Sequence, residues 1–445
     1  MVSPLLLVAA LTLGSPQRHD FYPDDGQFVQ SGEHYEVHVH YADKPALIKA
    51  LDVCERAWPH TMELLSMDDE EIQVEWPPAL HVYPSKEEYV DVEALLTRGA
   101  FRDNESFSHW NTRTAHVALA PPLPREARAE VLLSAQCQEV IAHEAAHLAV
   151  YSVIPSYRFH PTWLGEGLAL SVELSVAREL GLVDDPSEHP RFSTNQLRAR
   201  RLLEEDRVPA IGSLLMDALE GLSTAERYAL WHEFIEILLE DRTKFRRLIE
   251  VLRQTRGGPE MRRAIADHVL DSYGEKTLER RLRKRLEKLA PAWEQVYRSL
   301  DTSRDQWLQT AFPELHAIAW RIPAVQREAF QLEGTLTPLS SDMWMAVLVG
   351  RDERSHFAVR FHERRLEVLL VEGDSSRELA SAPIVPISRG VPLAFRVVVD
   401  GRALRIELDG LTHLEASLPR DARGGWGLSV SKGSAGRWGA VELDR

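Results

Sequence analysis

The stretch from Glu126 to Ser152 contains neither glycine nor proline, and Pro121, Pro122 and Pro124 sit just ahead of it. Proline cannot donate to a sheet ladder, so these residues end the short strand Thr114–Ala120 and free the chain for one long helix. Val131, Leu132, Ala135, Val140, Ala142, Ala146 and Leu148 predict that this helix is largely buried. Set in its apolar sequence are His143, Glu144 and His147. Buried polar groups of this kind need partners or a task.

On a helix, side chains four residues apart project from one face, so the imidazoles of His143 and His147 can reach a single metal ion. A catalytic zinc site needs a third protein ligand and an open position. The segment Pro161-Thr162-Trp163-Leu164-Gly165-Glu166-Gly167-Leu168-Ala169 supplies Glu166 in a second helix-like stretch, with eighteen residues between it and His147. The plain alternative for Glu166 is an acid complementing a helix N-terminus. His160 competes as third ligand but directly precedes Pro161 and reads as a loop residue. Glu173, seven residues after Glu166, lies on the same helix face; it reads either as a solvated carboxylate or as a group orienting a ligand histidine. Val150 and Val153 occupy the positions where a metzincin carries glycine and histidine, which excludes that subclass.

His143-Glu144-Ala145-Ala146-His147 followed by Trp163-Leu164-Gly165-Glu166-Gly167 resembles the gluzincin, peptidase-MA-like zinc metallopeptidases, over about residues 33 to 275. The resemblance implies Zn2+ held by His143, His147 and Glu166, with Glu144 as the base that takes the attacking water's proton and returns it to the leaving amine. It also implies an oxyanion donor from a helical lobe, for which Tyr228 is the candidate with His232 behind it. The strand Thr114–Ala120 resembles the edge strand on which such enzymes lay an extended peptide, which implies a polypeptide substrate. Aminopeptidases of the superfamily carry G-x-M-E-N upstream of the histidines; none precedes His143, which leaves endopeptidase chemistry.

The expected fold class is α+β: a gluzincin-like catalytic domain with a mixed sheet and active-site helix, a helical lobe, then a β-sandwich. Alternation from Glu33 to Tyr41, a helical run through Leu47, Leu51, Cys54 and Trp58, and a strand at Ala79–Tyr83 turning into a helix give the order β-α-β-α. The catalytic domain spans 30–195 and helical periodicity places the lobe at 196–320. From 322 to 445 short apolar runs alternate with turns, including Asp400-Gly401 and Asp409-Gly410, and predict eight to ten strands in a sandwich. This part resembles concanavalin-like jelly rolls, which implies a glycan- or protein-binding role. Trp344, Trp426 and Trp438 serve either as sugar-stacking surfaces or as core.

Residues 4–14 have the length of a secretory h-region, so 1–16 read as a signal peptide and the protein as secreted or periplasmic. No later apolar run is long enough for a transmembrane anchor. Cys54 and Cys137 can form one disulfide in an oxidising compartment or stay as two buried thiols. The formal charge of −16 argues against a nucleic-acid partner, and the basic run Arg280–Arg285 alternates with leucine as a solvated helix face does. Two functional classes remain: a zinc endopeptidase with an accessory sandwich, or a secreted binding protein whose metallopeptidase fold has lost its activity.

Overall fold

In β2 (Glu36–Val39), valines alternate with polar residues, and that alternation sets the layering of the first domain. The computed structural model describes residues 28–444 except 41–43, 68–76, 84–85, 101–105, 110–111, 119–133, 155–159, 256–258, 297–299, 302–305, 312–316, 322–328, 341–342, 353–354, 424 and 433. The expected signal segment 1–16, the strand end at 119–120 and the helix start at 126–133 lie outside the described residues.

The first domain runs β1 (Phe28–Ser31), β2, α1 (Lys44–Leu65), β3 (Ala79–Tyr83), α2 (Lys86–Thr97), β4 (Ser106–His109), β5 (Thr114–Ala118), α3 (Ala135–Val153) and α4 (Thr162–Glu179). The sheet order is β1-β2-β3-β5-β4. The three central strands are parallel, with helices in the crossovers, while β1 and β4 close the edges antiparallel. Val37, Val39, Leu80, Val82, Ala115 and Val117 join a core shared with α1 and α3. His38, His81 and His116 stand in register on the opposite face, stacked at centroid distances of 4.4 and 5.1 Å. Tyr35 donates from its hydroxyl to the Ala145 carbonyl at 2.9 Å, tying this layer to the motif helix. The strand expected at Thr114–Ala120 is internal; β4 holds the sheet edge, a four-residue strand too short to announce itself in the sequence.

Six helices follow: α5 (Pro190–Glu204), α6 (Ile211–Leu215), α7 (Thr224–Leu239), α8 (Arg242–Gln254), α9 (Pro259–Tyr273) and α10 (Glu275–Lys288). Ser223 and Glu226 form a capping box at the start of α7. In α10, Leu278, Leu282 and Leu286 are buried at a spacing of four, which leaves the basic residues on the outer face; Arg285 reaches Glu233 at 2.6 Å. The helical segment ends at Lys288, short of the expected 320, because Trp293–Arg321 already contributes strands to the sandwich.

The sandwich comprises β6 (Trp293–Val296), β7 (Leu300–Asp301), β8 (Gln306–Thr310), β9 (Ala317–Arg321), β10 (Ala329–Pro338), β11 (Met345–Val349), β12 (Ser355–Phe361), β13 (Arg365–Glu372), β14 (Ser375–Pro383), β15 (Leu393–Asp400), β16 (Ala403–Leu408), β17 (Leu411–Ser417), β18 (Trp426–Val430) and β19 (Ala435–Asp444). Two antiparallel seven-stranded sheets, β14-β13-β12-β11-β18-β9-β6 and β17-β16-β15-β10-β19-β8-β7, face each other as a jelly-roll sandwich. Trp426 and Trp438 lie in its core, the latter donating to Gln309 Oε1 at 2.8 Å. Trp344 packs with Trp320, Ala346 and Leu348 in a separate cluster on the outer side of the first sheet, with the Arg360 guanidinium 4.3 Å from its ring centre.

Helix α5 grips the sandwich edge. Ser193 Oγ accepts from Trp293 N at 2.7 Å and Thr194 Oγ1 from Gln295 N at 2.8 Å, so two hydroxyls take the place of a neighbouring strand along β6. Cys54 and Cys137 are both buried and are not joined in a disulfide. Among the described residues, no helix is long and apolar enough to cross a membrane.

Candidate metal centre

The motif helix α3 starts where Ser134 accepts a hydrogen bond from Cys137 N at 3.2 Å, and it is buried almost throughout. His143, Glu144 and His147 are exposed by 7%, 4% and 6%, so none has bulk water as its main partner.

Helix α4 brings Glu166 to them through the residues around it. The Trp163 indole donates to the Leu215 carbonyl at 3.0 Å and meets Phe234 edge-on at 5.3 Å. Pro161 at the N-cap offers no side-chain cap; Asp217 does this instead, accepting from the backbone N–H groups of Thr162 and Trp163 at 2.7 and 3.3 Å. Gly167 lies so close to α7 that a β-carbon there would run into Ile235 and come within 3.2 Å of the Trp231 carbonyl. Tryptophan thus anchors the helix start, glycine lets two helices close up, and the glutamate between them faces α3.

Glu166 Oε2 lies 3.2 Å from His143 Nε2 and 3.5 Å from His147 Nε2. Ligand atoms about 2.0–2.1 Å from a tetrahedral ion are about 3.3 Å apart, so both spacings suit one small cation between them. Among the described residues this is the one group of three histidine, cysteine or acidic side chains close enough to share an ion, all atoms within 4.8 Å of one another. His160 is not a member.

Charge at the cluster is strongly coupled. Burial disfavours a charged imidazole at His143, but its contacts to Glu166 and Glu173 outweigh this and lift its pKa to about 9. Burial likewise disfavours a charged Glu166, yet His147 and His143 hold its carboxyl well below the usual range. The carboxylate is therefore anionic and the site rewards positive charge.

Glu173 is fully buried, and its Oε2 accepts from His143 Nδ1 at 3.1 Å. Arg191 of α5 clamps the same carboxylate, Nε to Oε1 at 2.5 Å and Nη2 to Oε2 at 2.6 Å. Of the two sequence readings of Glu173, the orienting one describes its position. Glu144 Oε2 is buried without a hydrogen-bond partner among the described residues. Tyr228 lies beside the cluster, its ring 6.5 Å from that of His143, whereas His232, one turn on, packs against Phe192 at 6.4 Å.

Sequence reasoning missed Tyr151. Its ring stacks on His147 at 6.2 Å and 17°, and its hydroxyl is 3.3 Å from Ser108 Oγ on the edge strand β4. Burial above all, with the charges of Glu166 and Glu144, pushes its pKa up to about 12 against the opposing bond to Ser108, so it stays a donor. The available signal was its place four residues after His147, on the same helix face.

No family model and no curated protein matches this chain. Solved structures do match it in part. A carbohydrate-binding module from Bacillus subtilis is 12% identical over 35% of this chain and 96% of its own, with a TM-score of 0.31. A Bacillus subtilis protein of unknown function with a galectin-like fold is 10% identical over 34% and 88%, TM-score 0.28. Sheep galectin-11 is 10% identical over 27% and 94%, TM-score 0.24.

Proposed function

We propose that the chain is a zinc-dependent metallohydrolase, an endopeptidase acting on polypeptides. The observation that carries this reading is the convergence of His143, His147 and Glu166, with Glu166 Oε2 3.2 and 3.5 Å from the two Nε2 atoms and Glu144 beside them in the motif. His143, His147 and Glu166 would hold the ion. Two imidazoles and one carboxylate suit zinc, which when bound supplies a Lewis acid that acidifies water and polarises a scissile carbonyl. Glu144 takes the proton of the attacking water, and the same proton passes to the amide nitrogen as the C–N bond breaks. A carboxylate oxygen without a donor suits that task, since nothing competes for its lone pairs. Tyr228 beside His143 is the proposed donor to the oxyanion. The edge of β4 offers main-chain groups to an extended peptide. Zinc analysis of the purified protein, with cleavage of a proteome-derived peptide library by wild type and Glu144→Gln, tests the reading.

A second reading is a secreted or periplasmic binding protein that keeps the site without turnover and works through its sandwich. Trp344 under Arg360 on the outer side of the first sheet supports a glycan partner, because an indole face and a guanidinium together suit a sugar bearing a carboxylate. A glycan array with Trp344→Ala as control separates the readings; a zinc-loaded protein that binds glycans and cleaves no peptide would favour this one.

A further inference from the structure

The two imidazoles of the cluster are held by different means. Glu173 accepts from Nδ1 of His143, and Arg191 fixes Glu173. Nδ1 of His147 is buried and has no hydrogen-bond partner among the described residues. A ligand histidine normally has its second nitrogen pinned, since that bond sets ring orientation and basicity. At His147 the contact of matching geometry is Tyr151, one turn along α3, with its ring nearly parallel to the imidazole at 6.2 Å. The tyrosine is itself anchored at the far end, where its hydroxyl lies 3.3 Å from Ser108 Oγ. Ser108 belongs to β4, paired on one side with β5.

We infer that Tyr151 is a positioning residue that fixes the ring plane of His147 and, through Ser108, fixes the distance between the edge strand and the cluster. The ring and the hydroxyl do separate work. The ring restrains His147 by shape, where His143 is restrained by a charge-assisted hydrogen bond. The hydroxyl joins the backbone that would carry a peptide to the helix that would hold the metal, so strand and centre move as one body. The first half rests on the metal reading; the second does not.

The test uses the full chain and two substitutions, with zinc affinity measured by competition against a chromophoric chelator and amide exchange followed at residues 106–109. Tyr151→Phe keeps the ring: zinc affinity stays within about twofold of wild type, while exchange in β4 speeds up about tenfold. Tyr151→Leu loses both: zinc affinity falls about tenfold, at the lower end for loss of an outer-shell partner, and β4 exchange rises as in the phenylalanine variant. If the leucine variant does not fold, Tyr151→Phe still decides the strand link, and Tyr151→Met, which removes the ring but keeps a long apolar side chain, takes its place in the zinc titration. A role confined to packing would change exchange and affinity in step in both variants, and that result overturns the inference, as does unchanged β4 exchange in Tyr151→Phe. Wild-type protein that takes up no zinc overturns the metal reading instead, and leaves the exchange at 106–109 as the test of the strand link.

Discussion

Glu173 Oε2 lies 3.1 Å from Nδ1 of His143, and the carboxylate that makes this contact is completely buried. Such a carboxylate keeps its charge only with partners, and Arg191 supplies the second one. Glu173→Gln keeps the shape and removes the charge, so zinc affinity should fall about 10- to 100-fold. Competition titration against a chelator checks this; an unchanged affinity would mean that Glu173 serves the fold alone.

Gly167 is required by the approach of α4 to α7, not by its backbone angles. Gly167→Ala should destabilise the protein by about 1–3 kcal/mol through contact with Ile235. Combined with Ile235→Ala, the loss should be smaller than the sum of the two single losses. Denaturant titration of all four proteins reads the coupling; simple additivity would show that the helices yield elsewhere.

Asp217 is remote in sequence from the helix it caps. Asp217→Ala removes the acceptor of the Thr162 and Trp163 N–H groups and should cost about 1 kcal/mol. It should also weaken zinc binding, because Glu166 sits one turn further along. A stability loss with no effect on zinc would show that Trp163 alone sets the position of Glu166.

Acid should weaken the first domain before it reaches the carboxylates. Burial, helped by His38, lowers the His40 pKa to about 4, and burial, helped by His109, His40 and His38, takes that of His116 well below its usual value. The unfolded chain, with histidines near 6.5, then binds more protons than the folded one between about pH 6.5 and 4. The share of stability that rests on these histidines is full above that window and falls through it by up to about 1.4 kcal/mol per pH unit for each of them. Thermal midpoints at pH 7, 6 and 5 should drop stepwise; a flat profile would mean that the stacked histidines take up protons without opening.

The elements that place Glu166 and the two histidines were legible because each leaves a local mark: a spacing of four, a run without helix breakers, a tryptophan and glycine bracketing a glutamate. Tyr228 was named because the family resemblance implies a donor from the helical lobe, and its ring lies 6.5 Å from that of His143. Contacts made across the fold leave no such mark. Asp217 caps α4, Arg191 holds Glu173 and Ser108 meets Tyr151, from just past α6, from α5 and from β4, and nothing near them in sequence points to α3 or α4. The sandwich shows in the sequence through its hairpins, but the helical lobe was expected to run to 320, because β6, β7 and β8 are short and mix glutamine and acidic residues with their apolar ones. Gln295 and Gln309 are nonetheless buried there, with their side chains hydrogen-bonded to the backbone of Leu300 and Leu428.

The proposed roles of His143, His147 and Glu166 as zinc ligands and of Glu144 as the base stand or fall together. Elemental analysis and peptide-library cleavage, run together on wild type and Glu144→Gln, test them most directly. Both proteins should carry close to one zinc per chain, the wild type should cleave, and the variant should lose at least about 100-fold in rate. Protein that takes up no zinc, or a variant that cleaves as fast as the wild type, would contradict these roles.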